Sequence, residues 1–326
     1  MICLGVESTA HTFGIAIANN NKVLSNEIKS FTTEHGGIVP NLAAKHHVEV
    51  CDQVLKSALK RANVKLGDIQ LIAFSISPGL GHTLRIGAMM ARTLSILLKK
   101  PLVGVNHCIA HLEVGRALTK AKDPVLLYVS GANTQIIAYE AGKYRIFGET
   151  LDQGVGNLID SFARFLDLGF PGGPKIAELA KHGKKLIELP YSVKGMDVSF
   201  GGLLTNLKQK YITGKFTKED LCYSMQEHIF AMLVEVSERA MAHTGKQELL
   251  LGGGVACNTR LQEMAKQMCK ERGARCYVLP NEFNVDNAAM IALTGVQMFN
   301  AGSEIKVEKS EIKPYERTDD VNVIWR

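Results

Sequence analysis

The chain has 326 residues, of which 46% are hydrophobic, and its formal net charge is +6 at pH 7. This length is typical of two domains of ordinary size, and the apolar content is sufficient for large buried cores, which excludes a disordered protein. No apolar run approaches the roughly 20 residues that span a bilayer, and no basic region precedes Glu7, so neither a membrane anchor nor a leader is expected.

Seven cysteines are scattered through the chain without a CxxC spacing: Cys3, Cys51, Cys108, Cys222, Cys257, Cys269 and Cys276. Their odd number and spacing predict neither a disulfide framework nor a zinc ribbon, and a reducing cytoplasm fits best. Lysines are locally dense at residues 181–185 and 208–210. The positive charge is compatible with a nucleic-acid partner, although solvated lysine faces are the commoner explanation.

Two segments share one construction. Residues 2–17 and 126–139 each contain an apolar strand, a small polar turn and a second apolar strand. Each pattern predicts a hairpin whose turn presents backbone amides and hydroxyls, groups that bind phosphate or carboxylate. A single copy would be an ordinary hairpin. The repetition predicts two related lobes that face each other across a cleft.

Alternating strands and helices are predicted between the hairpins. Residues 71–77 form a buried strand, and the glycine-rich turn 78–83 leads into a helix over 84–98. Residues 101–105 form another strand, so His107 begins the helix that follows it. This position is the carboxyl end of a strand, where open α/β sheets bind ligands.

His107 and His111 are four residues apart on that predicted helix. At this spacing both imidazoles project from one helix face, close enough to bind one metal ion. The spacing alone leaves two surface histidines equally open. Four further histidines are assigned to surface or turn positions: His11, His46, His47 and His82. His82 follows a glycine-rich turn and could also face the cleft.

The second half continues this α/β pattern. A helix that carries Asp160 begins at residues 153–157, and a rigid turn follows at 169–174. Three consecutive glycines at 252–254 allow backbone to approach a flat ligand such as a purine. Asp286 precedes a helical pattern, where an aspartate usually caps the helix, and a second role at a ligand site is compatible with that cap. Further elements are predicted over residues 217–243, 248–252, 276–279 and 288–300, and the last helix is expected to pack on the first lobe.

Several motifs occur together in a specific order: Glu7-Ser-Thr, His107 with His111, Tyr128-Val-Ser-Gly-Ala132, Phe170-Pro-Gly-Gly173, Gly253-Gly-Val-Ala-Cys-Asn258 and Asp286-Asn287. Together they resemble the tRNA N6-adenosine threonylcarbamoyltransferase family, in its archaeal and eukaryotic branch, over essentially the whole chain. In that branch the family member is the catalytic subunit of the KEOPS complex.

The resemblance implies an α/β fold of the ASKHA type, with two RNase-H-like lobes around a central cleft. We expect residues 1–122 and 288–326 in the N-terminal lobe and 123–287 in the C-terminal lobe. It also implies transfer of a threonylcarbamoyl group from threonylcarbamoyl-adenylate to N6 of the adenosine 3′ of the anticodon, in tRNAs that read codons beginning with A. A separate enzyme makes the adenylate from threonine, bicarbonate and ATP.

The resemblance further implies roles for individual residues. One metal ion per subunit, with iron favoured and zinc the alternative, would be bound by His107, His111, Tyr128 and Asp286. The acyl and phosphate portion of the adenylate would be lined by Tyr128, Val129, Ser130, Gly131 and Ala132. Its ribose and adenine would be held by Asp160, Gly173 and Asn258. Less direct contributions to the nucleotide cleft are expected from Ser8, Thr9, Gly253, Gly254 and Glu178.

The chain departs from the family pattern at two places. Relatives often carry an acid shortly after Gly-Gly-Pro-Lys, whereas this chain has Ile176-Ala177 with Glu178 one place later. Relatives often show Cys-Arg-Asp-Asn-Gly where this chain has Asn284-Val-Asp-Asn-Ala288. The implied partners are tRNA, a small kinase-like subunit and a dimerising subunit.

Three other functions match parts of this pattern. A zinc protease needs a glutamate directly after the first histidine of H-E-x-x-H, and that position is Cys108. A sugar or acetate kinase on the same two-lobed plan needs a carboxylate base and a magnesium-phosphate centre instead of paired histidines. A non-catalytic nucleotide-binding scaffold would not need the metal set. Tyr128, taken without its histidine context, would be an ordinary core tyrosine.

Overall fold

The computed structural model describes residues 1–33 and 38–326. The strands are β1 Ile2–Glu7, β2 Thr12–Asn19, β3 Lys22–Ser30, β4 Leu71–Ser77, β5 Leu102–Asn106, β6 Val125–Val129, β7 Thr134–Glu140, β8 Lys143–Glu149, β9 Val193–Lys194, β10 Asp197–Val198, β11 Glu248–Gly252 and β12 Arg275–Val278. The α-helices are α1 Pro40–Ala62, α2 Gly81–Leu98, α3 His107–Leu118, α4 Val155–Phe165, α5 Gly173–Ala180, α6 Gly201–Ile212, α7 Lys218–Thr244, α8 Thr259–Glu271, α9 Asn281–Asn284 and α10 Ala288–Asn300. None of the helices in these two ranges has the length and apolar character to cross a bilayer.

Two five-stranded sheets repeat one topology. The first has the strand order β3-β2-β1-β4-β5, and the second, read in the same direction, has β8-β7-β6-β11-β12. In each sheet the first three strands are antiparallel and the last three are parallel. The two hairpins predicted from the sequence are β1–β2 and β6–β7, and both predictions are confirmed. They occupy equivalent places in the two sheets, as the duplicated ASKHA architecture requires.

Alternation along β1 divides the first lobe's core. Leu4 and Val6 pack in the cluster that includes α1 and α2, whereas Cys3 packs in the cluster that includes α10. Helix α10 lies so close to the sheet that a Cβ on Gly5 would be 2.6 Å from the backbone N of Ala292. The predicted bounds 288–300 of this helix are confirmed, and it packs on the first sheet.

Helix α3 lies between the two sheets. Ala110 and Val114 on one of its faces join the core of the first sheet with α10. Ile109 and Leu112 on its other face join a cluster with Leu126, on the inner face of the second sheet. Both cores therefore fix the position of the helix that begins with His107.

The segment that follows α10 contacts both sheets. The backbone N of Ile305 donates to the carbonyl of Leu102 at 2.9 Å, beside the first sheet. Further along, an Arg317 nitrogen lies 3.0 Å from a Glu149 carboxylate oxygen in the second sheet. Trp325 Nε1 donates to Glu113 Oε1 of α3 at 3.2 Å. These contacts hold the C-terminal segment against both lobes.

The prediction that His47 occupies a surface or turn position is wrong. His47 lies in α1 and is fully buried, with its ring centroid 5.4 Å from that of Phe13. Burial, together with repulsion from neighbouring His46, lowers its pKa to about 4. The sequence around it is polar enough to suggest exposure, but the apolar outer face of β2 covers it.

Candidate metal centre and nucleotide cleft

The first two turns of α3 present two histidines to the second sheet. Asn106 ends β5 and caps the helix, since its side-chain oxygen accepts from the Ile109 backbone N at 3.2 Å. This cap fixes the first turn of the helix, from which His107 projects. The ring centroids of His107 and His111 are 4.8 Å apart, and both imidazoles are buried.

Asp286 completes a three-residue cluster with the histidines. Its Oδ1 lies 3.3 Å from His107 Nε2 and 3.5 Å from His111 Nε2. One ligand atom from each of the three residues can be chosen so that all lie within 4.8 Å of one another. The predicted helix cap at Asp286 is wrong, because Asn287 caps α10 by accepting from the Met290 backbone N at 3.1 Å. The Asp286 carboxylate turns towards the imidazoles instead.

Glu7 belongs to one of the motifs found in the sequence, but its role in the site was not predicted. Its Oε2 accepts from His107 Nδ1 at 3.0 Å, and its Oε1 accepts from the Thr9 backbone N at 2.7 Å and the Thr9 hydroxyl at 2.6 Å. Because a carboxylate only accepts, the contact with Glu7 places a proton on His107 Nδ1, and Nε2 is the ring nitrogen that faces Asp286. A carboxylate at the end of an otherwise apolar strand was the available signal.

Electrostatics distinguish the two imidazoles. Burial disfavours a charged His107, but Glu7 and the other anionic neighbours raise the pKa of His107 well above its usual value. Burial lowers the pKa of His111, although the nearby Asp286 carboxylate opposes this. His111 is thus a neutral imidazole, whereas a metal ion would have to displace a proton from His107.

The donor set fits a metal ion. Among the residues that the structure describes, neither buried ring nitrogen of His111 has a hydrogen-bond partner. An unpaired buried nitrogen costs free energy that metal coordination recovers. Two imidazoles and a carboxylate form a nitrogen and oxygen site of the kind that holds iron or zinc.

Tyr128 faces this cluster from the second sheet. Its ring centroid lies 5.0 Å from that of His111 and 6.5 Å from that of His107. Burial raises the pKa of the Tyr128 phenol. The tyrosine is therefore a neutral phenol against the histidines, and coordination as a phenolate would require loss of its proton.

The turn of the second hairpin holds the start of α4. The carbonyls of Ser130 and Gly131 accept from the backbone N of Gly156 and Asn157 at 3.0 and 2.9 Å. Val129 ends β6, and Ala132 lies in the same turn. The residues predicted to line the acyl and phosphate portion of a ligand therefore form one rigid unit with α4, adjacent to Tyr128.

Asp160 lies on α4, one helical turn beyond this unit. Its Oδ1 accepts from the Gly172 backbone N at 2.8 Å, which fixes the turn before α5. Burial raises the pKa of Asp160. From the first lobe, His11 meets the same turn, with its ring centroid 6.3 Å from that of Phe170. The cleft is thus closed on one side by residues of both lobes.

The three glycines at 252–254 have different surroundings. A Cβ on Gly252 would lie 3.0 Å from the Leu126 side chain, and one on Gly253 would lie 2.3 Å from the Val129 carbonyl oxygen. Gly253 also has a φ of +92°. A Cβ on Gly254 or Gly173 would meet nothing within 4 Å. Gly254 and Gly173 thus border open space, whereas Gly253 serves the close packing of the turn.

The other residues predicted for the nucleotide cleft form contacts within the protein. Asn258 caps α8, accepting from the Arg260 backbone N at 2.9 Å, and its amide donates to Gln226 at 2.8 Å. Glu178 is exposed and pairs with Lys181 at 2.6 Å. Ser8 points at α2, where a Cβ on Gly87 would lie 2.0 Å from its hydroxyl oxygen. Thr9 adjoins the metal cluster through Glu7.

Solved structures share this fold. A crystal structure of T. kodakarensis HypF superposes with a TM-score of 0.66 at 12% sequence identity, over 92% of this chain and 48% of that chain. At this identity the likeness concerns the ASKHA-type fold alone, which confirms the predicted architecture.

Sequence comparisons identify the family. The protein named tRNA N6-adenosine threonylcarbamoyltransferase from Thermococcus sibiricus is 55% identical over 325 residues, which is 100% of both chains. A Methanocaldococcus jannaschii protein named probable bifunctional tRNA threonylcarbamoyladenosine biosynthesis protein is 52% identical over 326 residues, and the match covers 60% of its length. A family model described as "TsaD: tRNA N6-adenosine threonylcarbamoyltransferase" matches residues 22–293. The chain therefore belongs to the tRNA N6-adenosine threonylcarbamoyltransferase family.

Proposed function

We propose that this chain transfers the threonylcarbamoyl group of threonylcarbamoyl-adenylate to N6 of the adenosine 3′ of the anticodon, in tRNAs that read codons beginning with A. The family membership gives the reaction class, a group transfer in tRNA modification. The observation that carries the proposal is the cluster of His107, His111 and Asp286, which meets Tyr128 where the two lobes face each other.

A metal ion fits this cluster, with iron favoured and zinc the alternative. His107, His111 and Asp286 would hold it, and Tyr128 would approach from the second lobe. When bound, such an ion supplies Lewis acidity that stabilises negative charge on a phosphate or carbonyl oxygen. This donor arrangement separates the site from the magnesium-phosphate centre of a kinase.

The chain's own residues position the reactants. The rigid turn at residues 130–132 and the open backbone at Gly254 and Gly173 would receive the adenylate, with Asp160 beside its ribose. The N6 amine then attacks the carbamoyl carbon, the bond from that carbon to the phosphate oxygen breaks, and AMP leaves as N6 loses a proton. No covalent enzyme intermediate is needed. Burial of Tyr128 and the histidines keeps water from the activated donor.

We also propose the assembly and organisation of the protein. Residues 1–122 and 288–326 would form one lobe and 123–287 the other. The bifunctional name of the M. jannaschii relative, of which this chain spans 60%, supports a functional partner. We assign that role to a small kinase-like subunit, with a further dimerising subunit, as in the KEOPS complex. We assign the protein to the cytoplasm, in keeping with a tRNA substrate.

The proposal is tested by nucleoside analysis. The protein is incubated with unmodified tRNA, a source of threonylcarbamoyl-adenylate and the partner subunits, and the tRNA is digested to nucleosides. We expect threonylcarbamoyladenosine to accumulate with the wild type. In His107→Ala, both the bound metal and the modified nucleoside should be lost. Absence of the nucleoside in every partner combination, with phosphorylated small molecules formed instead, would favour the kinase alternative.

A further inference from the structure

The positive charge of the chain is concentrated in one segment. Residues 181–218 contain eight lysines and two acidic residues, a net +6 that equals the formal net charge of the whole chain. The rest of the molecule is therefore neutral overall. A field of one sign confined to a small part of a protein attracts a polyanion more strongly than the same charge spread evenly.

The fold joins the two ends of this segment at the first turn of α7. Asp220 in that turn accepts from the backbone N of Lys184 and Lys185 at 2.8 and 2.9 Å. Lys218 in the same turn has its Nζ 5.8 Å from the Tyr211 ring centroid. The two ends therefore form one continuous area, which we name the lysine surface. It comprises Lys184, Lys185, Lys208, Lys210, Lys215 and Lys218, together with Lys181, which pairs with Glu178.

Aromatic rings hold lysines of this surface in place. Lys208 Nζ lies 5.5 Å from the Phe165 ring centroid, and Lys210 Nζ lies 5.3 Å from that of Phe216. No carboxylate in residues 1–33 or 38–326 forms an ion pair with either ammonium group, whereas Lys246 pairs with Glu140 at 3.1 Å. These ammonium groups are positioned and remain free to meet phosphates.

Helix α4 links the lysine surface to the cleft. Its first turn is bonded to the Ser130 carbonyl beside Tyr128, and Phe165 at its end lies 5.6 Å from Tyr211, ring to ring. At 1.5 Å per residue, the helix separates the two by about 15 Å. An RNA loop with one base in the cleft would place its flanking duplex near the lysines.

We propose that the lysine surface binds the phosphate backbone of the anticodon stem of tRNA and thereby presents the loop adenosine to the cleft. This inference rests on the proposed function. Duplex RNA is recognised through its phosphates and shape, which suits lysines without base-reading side chains. A protein partner is a poorer fit, because the cores of protein interfaces are depleted in lysine.

The test compares two matched double variants. Lys208→Gln with Lys210→Gln removes two charges from the lysine surface. The control, Lys266→Gln with Lys270→Gln, removes two exposed charges from α8 in the same half of the chain. Binding of unmodified tRNA and of the isolated anticodon stem and loop is measured by fluorescence anisotropy between about 50 and 200 mM salt.

The lysine-surface variant is expected to bind both RNAs more weakly at low salt, and its slope of log affinity against log salt is expected to fall by about two. The control should match the wild type. Equal slopes in both variants would overturn the proposal. This conclusion would hold even if the lysine-surface variant no longer bound a protein partner. An effect on whole tRNA but not on the isolated stem and loop would overturn the assignment to the stem.

A transfer assay separates this inference from the proposed function. With the donor saturating, the lysine-surface variant should raise the KM for tRNA by a larger factor than it lowers kcat. If the wild type transferred no threonylcarbamoyl group under any condition, the proposed function would fail. The salt-slope measurement would still report on RNA binding.

Discussion

Glu7 and His107 form a buried hydrogen bond that orients the candidate metal centre. Glu7 Oε2 lies 3.0 Å from His107 Nδ1, and Nε2 of the same ring lies 3.3 Å from Asp286 Oδ1. The two ring nitrogens thus face carboxylates on opposite sides. A carboxylate that holds the outer nitrogen of a ligating histidine fixes its tautomer and strengthens it as a donor.

Replacement of Glu7 should therefore weaken metal binding. Glu7→Gln keeps the size of the side chain but removes the charge that orients His107. We expect metal affinity to fall by roughly 10- to 100-fold, which is typical when such a partner is removed. Affinity is measured by competition with a chromophoric chelator. Glu27→Gln is the control, since Glu27 lies in the same sheet and pairs with Arg61 at 2.8 Å. An affinity equal to that of the control would contradict a role for Glu7.

Metal should stabilise the folded protein through His111. Since ions bind the folded cluster in preference to the unfolded chain, iron(II) or zinc at about 100 times its dissociation constant should add about 2.7 kcal/mol. The measurement is the rise in Tm on addition of metal, made without oxygen for iron(II). His111→Ala should lose most of that rise, whereas exposed His182→Ala should keep it. A full rise in the His111 variant would remove this residue from the site.

Two adjacent glycines should respond differently to alanine. In Gly253→Ala the new methyl would meet the Val129 carbonyl oxygen at 2.3 Å, and the residue would keep a φ of +92°. We expect a loss of about 1 to 3 kcal/mol in the free energy of unfolding, measured by denaturant titration. Gly254→Ala, with nothing within 4 Å of its methyl, should keep its stability and raise the KM for the adenylate. Equal stability of both variants would contradict the packing described for Gly253.

Stability should fall in mild acid because of His47. Its pKa of about 4 in the folded protein is below the ordinary histidine value of 6.5. The unfolded chain therefore binds the proton first, so the contribution is complete above pH 6.5 and declines as pH falls towards 4, by at most about 1.4 kcal/mol per pH unit. Unfolding at several pH values tests this. His47→Gln should show a shallower decline than the wild type, and identical slopes would argue against a buried neutral His47.

Regular patterns made much of the fold predictable. The two hairpins, strand β4 at residues 71–77 and helix α10 at 288–300 follow apolar periodicity and were placed correctly. The pairing of His107 and His111 on one helix face also followed from local spacing. Such features depend on neighbours within a few residues, which a sequence displays directly.

Features set by long-range contacts were missed. Glu7 and His107 are 100 residues apart in the chain, so nothing local connects them. The capping role given to Asp286 belongs to Asn287, because two adjacent polar residues are equivalent caps until tertiary contacts choose between them. Burial of His47 depends on the face of β2 that covers it, and this is a consequence of packing.

The placement of α3 and α10 on the first sheet divides the site between the two lobes. His107 and His111 are carried by α3, and Asp286 immediately precedes α10, which packs with α3 on the first sheet. Tyr128 is carried by the second sheet. The candidate triad therefore belongs to one lobe, and any metal ion that it bound would meet the other lobe through the phenol of Tyr128.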